Sequence, residues 1–360
     1  MSGNFELKPV GTITPECALT TVRYSPCGRL IAGTGFDQAI HRWNLAAMEN
    51  PGDPKTFSAP NMENVSGHNG FASALEFHPK CFVAYSADSW GQLRAWPYLA
   101  ATPEPIWVLP EAHDGWIRDI AIGDEGDWIA TCGRDGMCRI FSTIEGGVLG
   151  EYMIHDREDV FAITVHPSGK WAVSGDAKGR ILQWEVRTGK VIREFDGSGF
   201  YEMHRMQDLP GLRKLYFDSD GKTLIACGSL PVTGGFFSGR AHVRLFDFES
   251  GKIRHSVALG DEGKDVFAHD VALHPDGYLI ACTTGQSGTG NLILHRPGDE
   301  KPIYQSNRGT INCHGLALSP GKNQIAVAAT NRGSNANGRK LDKEGNYPNN
   351  HSPIFLFDLT

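Results

Sequence analysis

Val160-Phe-Ala-Ile-Thr-Val-His-Pro-Ser-Gly-Lys-Trp-Ala-Val-Ser-Gly-Asp-Ala-Lys-Gly-Arg-Ile-Leu-Gln-Trp184 reads as three short strands joined by two turns. An apolar run ends at His166-Pro-Ser-Gly169, a second opens at Trp171, and the third, Ile181-Leu-Gln-Trp184, closes on an aromatic ring. Proline presets the turn dihedral and glycine supplies the positive φ that tight turns need. The same order of parts recurs seven times. The turns are Ser25-Pro-Cys-Gly28, His78-Pro79, Gly123-Asp-Glu-Gly126, His166-Pro-Ser-Gly169, Asp218-Ser-Asp-Gly221, His274-Pro-Asp-Gly277 and Ser319-Pro-Gly321.

With anchors at 26, 79, 124, 167, 219, 275 and 320, the intervals are 53, 45, 43, 52, 56 and 45 residues. A four-stranded propeller blade needs about 40–45 residues, so three intervals fit and the others carry insertions. The third strands keep the phase at 40–43, 93–96, 138–141, 181–184, 243–246, 292–295 and 354–357, and all but Leu292-Ile-Leu-His295 end in an aromatic. The expected fold is therefore all-β: a seven-bladed β-propeller of four-stranded antiparallel blades. Its repeats span roughly 15–45, 67–99, 112–143, 155–195, 208–250, 264–297 and 309–360, and residues 7–13 supply the outer strand of the last blade, so the N-terminal strand closes the ring.

Composition agrees. The 43 glycines and 20 prolines punctuate many short elements, while 40% hydrophobic and 10% aromatic residues supply a core that a disordered chain lacks. The net charge of −7, with no block of like charges, argues against a nucleic-acid partner. With no stretch of 18 apolar residues and no basic, apolar leader, the expectation is a cytoplasmic protein with no membrane partner, a monomer by itself. The eight cysteines form no Cys-x-x-Cys pair and read as reduced thiols, several of them filling strand positions.

The sequence resembles the WD-repeat β-propeller family. Gly67-His68 and His113 stand 11 residues before their turn anchors, and Asp247 and Asp358 follow Phe where that family has Trp-Asp. No Trp-Asp dipeptide closes any third strand, and no repeat reads as carrying the family's complete His-Ser-Asp-Trp hydrogen-bond set. Blade two comes nearest, with His68, Ser86, Asp88 and Trp96.

Insertions at 196–211, 229–239, 284–291 and 330–352 gather on one rim. The first two hold Phe200, Tyr201, Met203, His204, Arg205, Phe236 and Phe237, with Arg240 adjoining, residue types that anchor protein interfaces. Phe236 and Phe237 could equally fold back onto their own blade. The polar 331–350 loop reads as mobile until a partner orders it. Six and five residues before the turn anchors, the inner strands carry Arg118-Asp119, Arg213-Lys214, His269-Asp270 and His314-Gly315, placed to face the channel mouth as a ring of ion pairs or as ligand contacts.

The expected function is a non-catalytic protein-interaction scaffold that binds a protein or peptide on the rim and channel mouth of blades five to seven, with no catalytic residue, metal or cofactor. Its contact residues are Tyr201, His204, Arg205, Phe236, Phe237, Arg240, Arg118, Asp119, Arg213, His269, Asp270 and His314. The alternative is a propeller enzyme of hydrolase or lyase type that gathers His269, Asp270 and His314 around a metal in the channel. His78, His166 and His274, one per blade before the turn proline, read as turn chemistry.

Overall fold

Each turn anchor joins an inner strand to its neighbour, and two further strands follow outward. The computed structural model describes residues 7–53, 55–123, 125–204, 206–231, 239–285, 289–330, 334–335, 338–339 and 350–359. Blades one to six take their four strands in sequence order, with inner strands Leu19–Tyr24, Ala72–Phe77, Ile117–Ile122, Val160–Val165, Leu212–Phe217 and Phe267–Leu273. Blade seven runs from Gly315–Leu318 through Gln324–Ala328 and Ile354–Leu359 to Leu7–Ile13, an antiparallel pairing that closes the ring as the repeat phasing implies. Every pairing in these seven sheets is antiparallel, and each inner strand packs against the inner strands of the two neighbouring blades.

The apolar core lies between blades rather than in the channel. Trp184 is fully buried against Ala130, Cys132 and Ile140 of blade three, and Trp43 packs on Val10, Ala326 and Ile354 of blade seven. Alternation makes this arithmetic work, because it sends every second side chain of a strand into one of the two inter-blade spaces. Cys132, Cys138, Cys227, Cys282 and Cys313 occupy such buried positions, whereas Cys27 and Cys81 are exposed. At the turns, the Nδ1 atoms of His78, His166 and His274 accept the backbone N–H of Lys80, Ser168 and Asp276, which is the turn role read from their placement.

Two expectations need correction. The His-Ser-Asp-Trp set is complete in two blades. In blade four His155 meets Asp176 and Ser174 at 2.7 Å each, and Trp184 Nε1 donates to Ser174 at 3.0 Å. In blade two His68 bonds Ser86 at 2.7 Å and Asp88 at 3.2 Å, and Trp96 donates to Ser86 at 3.1 Å. His155 stands 12 residues before its turn anchor rather than 11, and no glycine precedes it, so it falls outside the spacing that picked out His68 and His113. Phe200 is not a surface group: it follows a tight turn in which Gly199 takes a positive φ and the Phe200 N–H donates to the Gly197 carbonyl, and it is fully buried with Leu212, Phe246 and Phe195.

Candidate functional site at the channel mouth

Six inner strands share one irregularity. The register shifts across Thr20, Ser73, Arg118, Phe161, Arg213 and His269, leaving each as the extra residue of a β-bulge at the same level of its blade. Together with His314 of blade seven they surround a cavity of about 160 Å³ at the mouth. A bulge re-aims its side chain, which explains how bulky charged groups can stand where seven strands converge. The residues one step on, Asp119 and Asp270, are buried away from solvent.

The expected ring of ion pairs forms only in part. Lys214 Nζ meets Asp119 at 2.5 Å across the channel, and Arg23 meets Asp270 at 3.2 Å. Arg118 pairs instead with Asp159 of the neighbouring blade, its Nε donating at 3.0 Å. Arg213 has no carboxylate within 4 Å among the described residues; its Nη1 donates to the Pro210 and Leu212 carbonyls at 2.9 Å each. Burial outweighs the Cys227 contribution, and with Arg118 nearby it pushes the Arg213 guanidinium down to about 10. Burial, Arg213 and His314 push His269 down to about 3, so it is neutral and bonds Thr284 Oγ1 at 2.8 Å. Burial also lowers His314, which lies against the Asn312 carbonyl at 3.2 Å and Ser352 Oγ at 3.3 Å.

The metal arrangement of the alternative reading is not assembled. His269, Asp270 and His314 do not bring ligand atoms within 4.8 Å of one another; the one such cluster among the described residues is Cys17, Asp37 and His41. The bulge is the reason. It turns His269 to the mouth, while Asp270 points to Arg23, Tyr216 and the Leu316 N–H.

Aromatic groups complete the mouth, and the sequence reading passed most of them over. Phe36 stacks on Phe71 at 5.2 Å, Phe71 meets the Trp116 edge at 4.9 Å, and the Arg118 guanidinium lies 3.7 Å over Trp116 and 4.6 Å over Phe161. Arg213 continues the row at 5.8 Å from Phe161 and 4.3 Å over Phe267, and Phe267 adjoins His269 at 5.8 Å. This ladder of rings and guanidinium groups crosses six blades. Phe71, Trp116 and Phe267 each stand eight residues before their turn anchor, so the alignment that found Arg118 and Arg213 could have found them.

On the rim, Tyr201–His204 and Gln207–Pro210 form a hairpin. Tyr201 donates to Asp208 at 2.6 Å and accepts from Lys178 at 3.0 Å, and His204 is half-buried. Its exposed apolar groups among the described residues are Met203 and Met206, the latter 96% accessible. The hairpin reaches the mouth through a small cavity lined by Leu209, Pro210, Arg213, Val266 and Phe267. Arg240 instead donates to the Gly260 carbonyl at 2.8 Å and does not line the mouth cavity. Arg205, Phe236 and Phe237, and most of the 331–350 loop, lie outside the described residues.

Comparison with known proteins adds lineage. The family model "WD domain, G-beta repeat" matches residues 103–142 and 146–185, each match joining the outer strand of one blade to the inner three of the next. The chain is 26% identical over 250 residues to a guanine nucleotide-binding protein subunit beta of Arabidopsis thaliana, covering 67% of this chain and 60% of that one. It is 25% identical over 136 residues to pre-mRNA-processing factor 19 of Caenorhabditis elegans, covering 37% and 27%. It is 24% identical over 199 residues to cilia- and flagella-associated protein 52 of Mus musculus, covering 55% and 28%. The matches thus span at most 60% of these relatives' own length. With two matched repeats, these relatives and a closed ring of seven four-stranded blades, the chain belongs to the WD-repeat β-propeller family.

Proposed function

We propose that this protein is a non-catalytic scaffold that grips a protein or peptide partner at the channel mouth and on the adjoining rim of blades five to seven. The supporting observation is the ladder from Phe36 to His269, with the half-buried Arg213 meeting no carboxylate among the described residues, continued onto the rim by the exposed Met203 and Met206. Arginine, aromatic and methionine side chains dominate interface centres because each covers much area and few rotamers are lost. Arg213 suits an acidic group of the partner, since a carboxylate accepts a guanidinium's donors in pairs. The name of one relative describes it as a subunit of a guanine nucleotide-binding protein, which accords with a propeller that works in an assembly. The cytoplasm is the location we assign to it.

The test immobilises the intact chain, Arg213→Ala and Trp116→Ala, with Ile144→Ser as a control at a site 81% exposed on the ring's outside. Proteins retained by the wild-type chain and the control should bind the two mouth variants at least about tenfold more weakly, the scale of an interface anchor. Melting temperatures should stay within a few degrees of one another. Equal retention by all four chains places the binding surface elsewhere.

A further inference from the structure

Blades one and three place polar groups at corresponding positions, and the comparison exposes a missing cation. In blade three Asp135 and Arg139 stand 11 and 15 residues after the turn anchor, and Arg139 Nη1 bridges Asp135 at 2.6 Å and His113 Nδ1 at 2.9 Å. Blade one has Asp37 and His41 at those two positions, with Cys17 supplied by the connection ahead of its inner strand. The carboxylate is kept and the guanidinium is gone. Among the described residues no lysine or arginine lies within 4 Å of Asp37.

The three side chains converge on one atom. His41 Nε2 lies 3.1 Å from Cys17 Sγ and 3.0 Å from Asp37 Oδ2. A Cys-His-Asp nucleophile relay requires the carboxylate on the other ring nitrogen, to orient the imidazole while Nε2 serves the thiol. Here both partners crowd the same nitrogen, which carries at most one proton, so the relay is not built. Gly35 makes the convergence possible: a Cβ there would stand 2.1 Å from Asp37 Oδ1 and 3.0 Å from His41 Nε2.

We propose that Cys17, Asp37 and His41 are ligands of a zinc ion, with water in the fourth position. Tetrahedral zinc with bonds of about 2.0–2.3 Å sets sulfur–nitrogen and nitrogen–oxygen edges of about 3.4–3.6 Å, so the ligands need to part by only about half an ångström. A thiolate, imidazole and carboxylate set selects zinc over calcium or magnesium, which favour oxygen alone. Binding expels the thiol proton to solvent. The ion would also staple the ring seam: the Cys17 carbonyl accepts Ser352 N–H of blade seven at 3.1 Å, while Asp37 and His41 belong to blade one.

Cobalt(II) is the probe, added to chelator-treated protein under reducing conditions. One equivalent should give visible d–d bands of tetrahedral intensity and a near-ultraviolet thiolate charge-transfer band, both displaced by zinc. Cys17→Ser should abolish the charge-transfer band. Asp37→Asn and His41→Gln should weaken binding by at least about tenfold while circular dichroism stays native. Zinc should raise the melting temperature of the wild-type chain and leave that of His41→Gln unmoved. Absence of the charge-transfer band in the wild-type protein, or its survival in Cys17→Ser through the exposed Cys27 or Cys81, overturns the site.

Discussion

Ser174 shows how much one hydroxyl can carry. It bonds both His155 Nε2 and Trp184 Nε1, and all three groups are buried, so Ser174→Ala strands two donors or acceptors at once. The expected cost is about 3 kcal/mol, from roughly 1–3 kcal/mol for each unsatisfied group. In blade three Thr131 takes the serine's place but Phe141 has no ring N–H, so only His113 loses its partner. Urea unfolding should find Thr131→Ala less damaging than Ser174→Ala; equal losses would mean that the tryptophan bond contributes nothing. At the mouth, a residue's identity matters less than its setting. Arg118 is tied to Asp159 and Arg213 is not, although the sequence presents them alike.

At the scale of elements, the outer strand Leu7–Ile13 is held by pairing with Ile354–Leu359 and by burial of Leu7, Val10 and Ile13. Removing residues 1–13 should uncover the edge of Ile354–Leu359 and expose the apolar space around Trp43. Light scattering should then report aggregation, with a much lower melting temperature; a truncated chain as stable and monomeric as the parent would show that this strand does not hold the ring. A milder probe lies within the strand. The register shifts between Pro9 and Gly11, and a Cβ on Gly11 would lie 2.1 Å from the Phe57 ring. Gly11→Val should therefore loosen the seam, lowering the melting temperature without changing the sheet signal in circular dichroism.

The whole molecule carries histidines that the fold keeps uncharged. Burial lowers His68, His113 and His314, and drives His242 down to about 4 and His269 to about 3. A free imidazole titrates near about 6.5, so below that pH the unfolded chain binds protons that the folded chain refuses. The unfolded state holds more protons, and stability falls as pH falls. Each such group steepens the loss by up to about 1.4 kcal/mol per pH unit. Melting temperature should decline steadily from pH 7 to pH 4, with protons taken up on unfolding below about pH 6.5. A flat profile over that range contradicts the burial of these rings. Asp88 acts in a lower window. Burial would raise it, but hydrogen bonds from His68 and from the Gln92 and Trp90 N–H groups hold it at about 2, so its contribution persists until pH drops below about 4.

The sequence alone determined the blade count, the strand phase and the closing strand, because turn residues and alternation are local properties repeated seven times. It also located the ring of Arg118, Arg213, His269 and His314, because equal spacing from the turns puts side chains at one height. What it left undecided depends on distances between blades. Whether Arg118 pairs with Asp159, whether Phe200 is buried, and whether His269, Asp270 and His314 converge are set by bulges and packing across the ring. Cys17 and His41 stand 24 residues apart in unlike contexts, and only the pairing of strands within blade one brings their side chains to 3.1 Å. Such contacts join groups that no local pattern links, so tertiary structure alone decides them.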